Sequence, residues 1–177
     1  MPSMQVFNRL SDDAVRRALR RCCSSGRWID ALVAGRPHPD VATLLAASDA
    51  AVADLSEEDL REAMAGHPRI GDRRVAVRAG GAVAGHAQPA DWFRQEQANV
   101  SRADDELQQA LADSNAAYEQ RFGHIYLACA TGRDAASLLA FLRSRLGNDR
   151  ETEWDVVASE LAKINQIRLR KLLDGGS

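Results

Sequence analysis

Over most of this chain, apolar residues return every three or four positions; in one stretch they do not. The first pattern is that of amphipathic helices, each with one face to bury. Ser11 followed by Asp12 and Asp13 predicts a helix start, a hydroxyl cap with carboxylates at the positive end of the helix dipole. Val15, Leu19 and Cys22 or Cys23 carry that helix on, and it ends before Gly26. A short helix is expected from Trp28 to Ala34, stopped by Gly35 and Pro37, and another from Pro39 to Leu55. Ser56-Glu57-Glu58-Asp59 has the form of a capping box opening a helix that ends near Gly66. A long helix, with room for one break, is expected from after Pro89 to Phe122, closed by Gly123. Helices over Ala135–Leu146 and Glu151–Leu173 complete the set, and for Ile125 to Ala130 spacing does not decide between extended and helical.

The exception runs from His67 to Pro89, with Gly71, Gly80, Gly81 and Gly85, Pro68 and Pro89, and no helical period. It reads as a loop of roughly two dozen residues, and loops that long in a compact domain are usually functional or mobile. The expected fold is therefore all-α, a single compact multi-helix domain spanning 1–177 with a long loop after His67-Pro68-Arg69-Ile70-Gly71. Neither an internal repeat nor a low-complexity linker interrupts it.

Composition narrows the function classes. With 177 residues, 45% apolar and 27% charged, the chain suits a soluble globular protein with a sizeable core. Lys and Arg total 23 against 25 acidic residues, a net charge of −2, which argues against broad capture of nucleic acid or anionic membrane. Arg16, Arg17, Arg20 and Arg21 accordingly read as a solvated helix face. Apolar runs such as Leu44–Ala47 and Ile125–Ala130 are too short for a bilayer. No secretory signal is visible at Met1–Asn8, and three cysteines, two of them adjacent, make no disulfide framework, so a reducing cytoplasmic setting is expected. No histidine, cysteine or carboxylate spacing suggests a metal, and Gly80-Gly81 is not followed by the residues of a phosphate-binding loop.

Three ionisable residues stand where an apolar or inert residue is expected. In the last helix the stripe Trp154, Val157, Leu161, Ile164 continues through Arg168 to Leu172. Arg168 is either a snorkelling arginine or a fixed guanidinium fork for a carboxylate. After the loop, Glu96 shares a stripe with Trp92, Val100, Ala103, Leu107 and Leu111. It is either half of a structural ion pair or a site carboxylate suited to proton transfer or substrate hydrogen bonding. His67 precedes a proline, which biases it towards extended backbone and presents the imidazole at a helix end. It is either an idle loop histidine or a general acid/base. His38, His86 and His124 read as ordinary surface or loop residues.

Together these residues resemble a known family. His67-Pro68-Arg69-Ile70-Gly71 followed by Trp92-x-x-x-Glu96-Gln97 is similar to the 2-oxo-4-hydroxy-4-carboxy-5-ureidoimidazoline (OHCU) decarboxylases of urate breakdown. The likeness extends upstream to Phe7-Asn8, Cys23-x-x-x-x-Trp28 and Arg36-Pro37. Downstream it takes in Asn115-x-x-Tyr118-x-x-x-Phe122-Gly123, Gly132-Arg133 and Glu160-x-x-Lys163-Ile164-x-x-x-Arg168-Leu169. The resemblance implies an all-α homodimer that decarboxylates a small-molecule ureide to (S)-allantoin without a cofactor. It assigns His67 as the central catalytic residue with Pro68 beside it, Glu96 as a catalytic or substrate-binding carboxylate, and Arg168 as an anion-binding residue. Gly132 and its neighbouring backbone N–H groups are expected to complete the pocket. The family typically has serine directly after the tryptophan; here that residue is Phe93, expected to bear on substrate orientation. The alternative is a catalytically altered homologue acting on a related ureide or as a binding partner in purine breakdown.

Overall fold

The computed structural model describes residues 4–71, 92, 95–96 and 105–174. Among these, the chain forms eight helices and no strand: α1 (Met4–Arg9), α2 (Asp12–Arg20), α3 (Gly26–Ala34), α4 (Val41–Ala53), α5 (Glu57–Ala65), α6 (Asp105–Phe122), α7 (Ala135–Arg145) and α8 (Arg150–Asp174). The fold is all-α. The residues between 71 and 105, where the sequence predicts the long loop and the start of the long helix, lie outside the described set apart from Trp92, Gln95 and Glu96. Those three are helical.

The helix starts follow from side chains that take up the first orphan N–H groups. Ser11 accepts from the Ala14 N–H, Ser25 from Trp28, Asp40 from Thr43 and Asp134 from Ser137. Ser56 and Asp59 complete the predicted capping box, each side chain taking the other's backbone N–H. Ser25 starts α3 at Gly26, two positions before the first apolar residue of its stripe. α1 has no counterpart among the predicted helices: its one buried side chain, Phe7, anchors a single turn and leaves no period to read.

The described residues fall into two compact units, 4–66 with 161–174, and 67–71, 92, 95–96 and 105–160. In the first, α3 packs on α2, α4 and α5, burying Val15, Leu19, Trp28, Leu32 and Leu44. The buried indole of Trp28 donates to Ser48 Oγ at 3.1 Å, so its polar atom is not stranded. His38 is no surface residue: it is 2% exposed. Its Nε2 lies 3.0 Å from the Leu32 carbonyl, and Asn8 bridges its backbone N–H and C=O.

In the second unit α6 packs on α7, and Ile70, Leu111, Tyr118, Tyr126, Leu138 and Leu142 lie in the buried core. Gly71 has φ +80°, and a Cβ there would stand 2.8 Å from Leu111 Cδ2. Only glycine permits that turn against α6. Ile125 to Ala130, undecided by spacing, is neither helix nor strand, and its residues from Tyr126 onward are buried.

Candidate active site

The Gly66–Gly71 segment is held at both ends. Gly66 caps α5, with its N–H on the Met64 carbonyl, and His67 follows, half-buried, with Pro68 half-buried beside it. Further on, Arg69 donates to both Glu119 carboxylate oxygens, at 2.5 and 2.7 Å, and Asn115 Nδ2 donates to the Ile70 carbonyl at 3.0 Å. Two side chains of α6 thus fix the backbone just downstream of the imidazole. A cavity of about 540 Å³ lies here against α6, lined by Arg69, Ile70, Gly71, Gln108, Asn115 and Glu119 among others. His67 and Glu96 are not among its described lining residues.

Glu96 sits half-buried on helical backbone one turn from the buried Trp92. Its charge is felt by the Cys129 thiol, pushed up first by burial and then by the carboxylates of Glu160 and Glu96. Cys129 belongs to the irregular 125–130 segment, two of whose backbone groups go to charged side chains. Arg145 Nη1 donates to the Leu127 carbonyl at 2.6 Å, and the Cys129 N–H donates to Glu160 Oε2 at 2.8 Å. Arg133 lies 3.6 Å from the same Glu160 oxygen. Glu160 is 1% exposed, and a carboxylate so buried needs the partners it has. Just past the segment, Gly132 has φ +78° and is exposed, with open space where a Cβ would stand.

Behind this segment lies a second buried charge pair. Arg145 and Glu153 are 2% and 0% exposed, joined at 2.5 Å (Nη2) and 2.8 Å (Nε). The Tyr118 hydroxyl also donates to Glu153, and the guanidinium sits 4.9 Å over the Tyr126 ring. From sequence, Arg145 and Glu153 are not singled out and Glu160 is met only within the family motif, although spacing holds a signal of buried charge. Arg145 falls three positions after Leu142, and Glu153 and Glu160 stand four before and three after Val157, each in register with an apolar stripe.

Arg168 belongs to the first unit. It is 1% exposed, which disposes of the snorkelling alternative, and its Nη1 donates to the Cys22 carbonyl at 3.0 Å. Burial drives the Cys22 thiol up to about 12, against the pull of this guanidinium. Of the residues picked out in the sequence, His67, Pro68, Glu96 and Gly132 thus belong to the second unit and Arg168 to the first; Phe93 and His86 lie outside the described residues. His124, read as an ordinary loop residue, stacks on Trp154 with ring centroids 4.4 Å apart.

Comparison with known proteins turns this arrangement into an assignment. A "2-oxo-4-hydroxy-4-carboxy-5-ureidoimidazoline decarboxylase" of Haloferax volcanii is 26% identical over 168 residues, covering 94% of each chain. The "uric acid degradation bifunctional protein TTL" of Arabidopsis thaliana is 27% identical over 152 residues. That match takes in 85% of this chain but 45% of the plant protein, so the chain spans less than half of that relative. A crystal structure of OHCU decarboxylase determined in the presence of (S)-allantoin superimposes with a TM-score of 0.72 at 22% identity, over 93% of this chain and 99% of that one. A structure of (S)-allantoin synthase gives 0.71 at 17% identity, over 98% of this chain and 55% of that one. At such identities these two likenesses establish the fold. The family pattern of OHCU decarboxylase matches residues 8–170, and the chain belongs to that family.

Proposed function

We propose that this protein decarboxylates OHCU to (S)-allantoin in urate breakdown, without a metal or organic cofactor. The observation that carries the reading is the family match across residues 8–170, which takes in His67, Glu96 and Arg168. The same match spans both compact units and supports treating 1–177 as one functional domain.

The substrate carries its carboxylate beside a ring C=N bond. As the carbon–carboxylate bond breaks, its electron pair moves into that imine, so the molecule contains its own electron sink. The protein's work is positioning, electrostatics and delivery of one proton to one face. Arg168, a planar fork with its charge already desolvated, binds an anionic or carbonyl portion of the substrate. Glu96 accepts hydrogen bonds from ring or ureido N–H groups. His67, at a helix end fixed from downstream by Asn115 and Glu119, exchanges protons with the reacting centre. Pro68 restricts the backbone carrying the imidazole, and Gly132 brings backbone N–H groups to the pocket.

The test is the ultraviolet decay of freshly generated OHCU with and without purified protein, together with the optical sign of the allantoin formed. Faster decay and a single enantiomer are expected; decay at the uncatalysed rate to racemic product overturns the reading. Phe93, where the family typically has serine, favours the second reading, a homologue tuned to a related ureide. Turnover of such a ureide in preference to OHCU identifies that case. We also infer a homodimer, checked by light scattering as a species of about twice 19.3 kDa. A reducing, cytoplasmic setting suits Cys22, Cys23 and Cys129, all free and buried. Fractionation of the native host tests it.

A further inference from the structure

One side of α6 meets the segment after His67 residue by residue. Glu119 takes the Arg69 fork, Asn115 Nδ2 donates to the Ile70 carbonyl at 3.0 Å, and Leu111 closes on Gly71, where a Cβ would stand 2.8 Å from its Cδ2. Leu111, Asn115 and Glu119 are spaced by four, so they stack one helical turn apart. As the segment runs 69, 70, 71, the helix supplies 119, 115, 111. The three rungs differ in chemistry. Arg69 is exposed and Glu119 partly so, and an ion pair in such a setting is screened and worth little. Leu111 offers shape alone. Asn115 is 5% exposed, and its bond to Ile70 is directional and shielded from water. Its Oδ1 has no hydrogen-bond partner, so the Ile70 carbonyl is the group this buried amide serves. Between that carbonyl and His67 stand only Pro68, whose ring locks φ, and the clamped Arg69.

We propose that Asn115 is a positioning residue for His67, with Glu119 as the second rung: α6 fixes the Arg69–Ile70 backbone, and so the place at which the imidazole stands. The proposal rests on His67 serving the reaction. Asn115 and Glu119 act through the backbone, not on the substrate. A catalytic group misplaced by about 1 Å loses up to about a hundredfold in rate, so a single buried hydrogen bond three residues away is enough to matter.

A double-mutant cycle on the full chain separates this from a merely structural role. Asn115→Asp keeps the side chain's shape but has no N–H to give, and at neutral pH it sets a carboxylate oxygen against the Ile70 carbonyl. It is expected to lower kcat on OHCU about tenfold or more while KM stays within about twofold. In the His67→Ala background the same change should alter kcat less than about twofold, because the group being placed is gone. Equal losses in the two backgrounds, no loss in either, or a rise in KM at unchanged kcat overturn the proposal. A second readout needs no turnover. The His67 Cε1–H signal in the NMR spectrum, identified among the chain's four histidines by its disappearance in His67→Ala, should shift in Asn115→Asp. An unmoved signal with an unchanged pH titration overturns the placement. Wild-type turnover of His67→Ala alone overturns the role of His67, and the proposal with it, and is told apart by that single measurement. Should Asn115→Asp fail to fold, Glu119→Gln loosens the neighbouring rung. It should lower kcat about threefold, the scale of a partly exposed ion pair, and shift the same signal. An equal loss without His67 overturns the proposal.

Discussion

His67 stands two residues beyond the last turn of α5, on backbone that Gly66, Pro68 and Gly71 shape from either side. At this half-buried position, His67→Ala should leave the protein folded, with a single cooperative melt. It should lower kcat by about 10²–10⁴-fold, the usual range for a lost general acid/base. Steady-state rates beside a thermal melt check both halves, and wild-type turnover removes His67 from the mechanism. Arg168 makes a sharper case. Arg168→Lys keeps the charge but loses the flat fork, and a charge-assisted hydrogen bond is worth roughly 1.5–3 kcal/mol. KM for OHCU should rise by about tenfold or more while kcat falls less; an unchanged KM shows that the guanidinium serves the first unit's packing alone. Phe93→Ser restores a hydroxyl that a phenyl ring cannot imitate and should raise kcat/KM. His67 stood out for the proline that follows it and Phe93 only through the family resemblance, whereas the burial of Arg168 was legible because an ionisable group on an apolar stripe breaks a local rule. His38 was not: it breaks no rule in its own neighbourhood, and its burial depends on Asn8, thirty positions away.

The helices were legible where several apolar residues shared a face and a capping side chain marked the start. α5 shows why caps matter as much as period. Its nine residues bury Leu60, Ala63 and Met64, and its first turn is set by the reciprocal Ser56–Asp59 bonds. The Ser56 hydroxyl and then the Ser56 N–H hold the Asp59 carboxyl below its ordinary value. A carboxyl depressed in the folded state stabilises above its unfolded pKa of about 3.9 and loses that contribution as pH falls through the folded value. Ser56→Ala should therefore cost about 1 kcal/mol at neutral pH. The gap between variant and wild type should begin to narrow below about pH 4 and close as pH falls through the depressed value of folded Asp59. Urea midpoints at pH 7 and pH 3 test this, and a gap that widens in acid contradicts it. The 125–130 segment escaped prediction for the opposite reason. Its Leu127 carbonyl and Cys129 N–H are held by Arg145 and Glu160, each supplied by a helix further along the chain.

At the scale of the whole molecule, a chain with net charge −2 keeps Arg145, Glu153, Glu160 and Arg168 almost entirely out of water. Folded proteins are stable by only about 5–15 kcal/mol, so such groups persist only if each is nearly fully compensated. Arg145 is: Glu153 takes its Nε and Nη2, the Leu127 carbonyl takes Nη1, and three aromatic rings surround the guanidinium. Glu153 in turn accepts from Tyr118 and from Asn148 Nδ2 at 2.9 Å. Breaking one side of so closed a network strands the other. Glu153→Leu should thus destabilise by about 3–5 kcal/mol, the range for an orphaned buried charge. For a protein of this size that corresponds to a melting temperature lower by roughly 6–20 °C. The paired change Arg145→Met with Glu153→Leu removes both charges together and should recover much of that loss, since an apolar replacement of similar volume leaves no stranded ion. Calorimetry on the three variants decides the matter. If Glu153→Leu melts within 2 °C of wild type, or the double variant melts below it, the network is not what holds Tyr118, Leu127 and the α6–α7 core together.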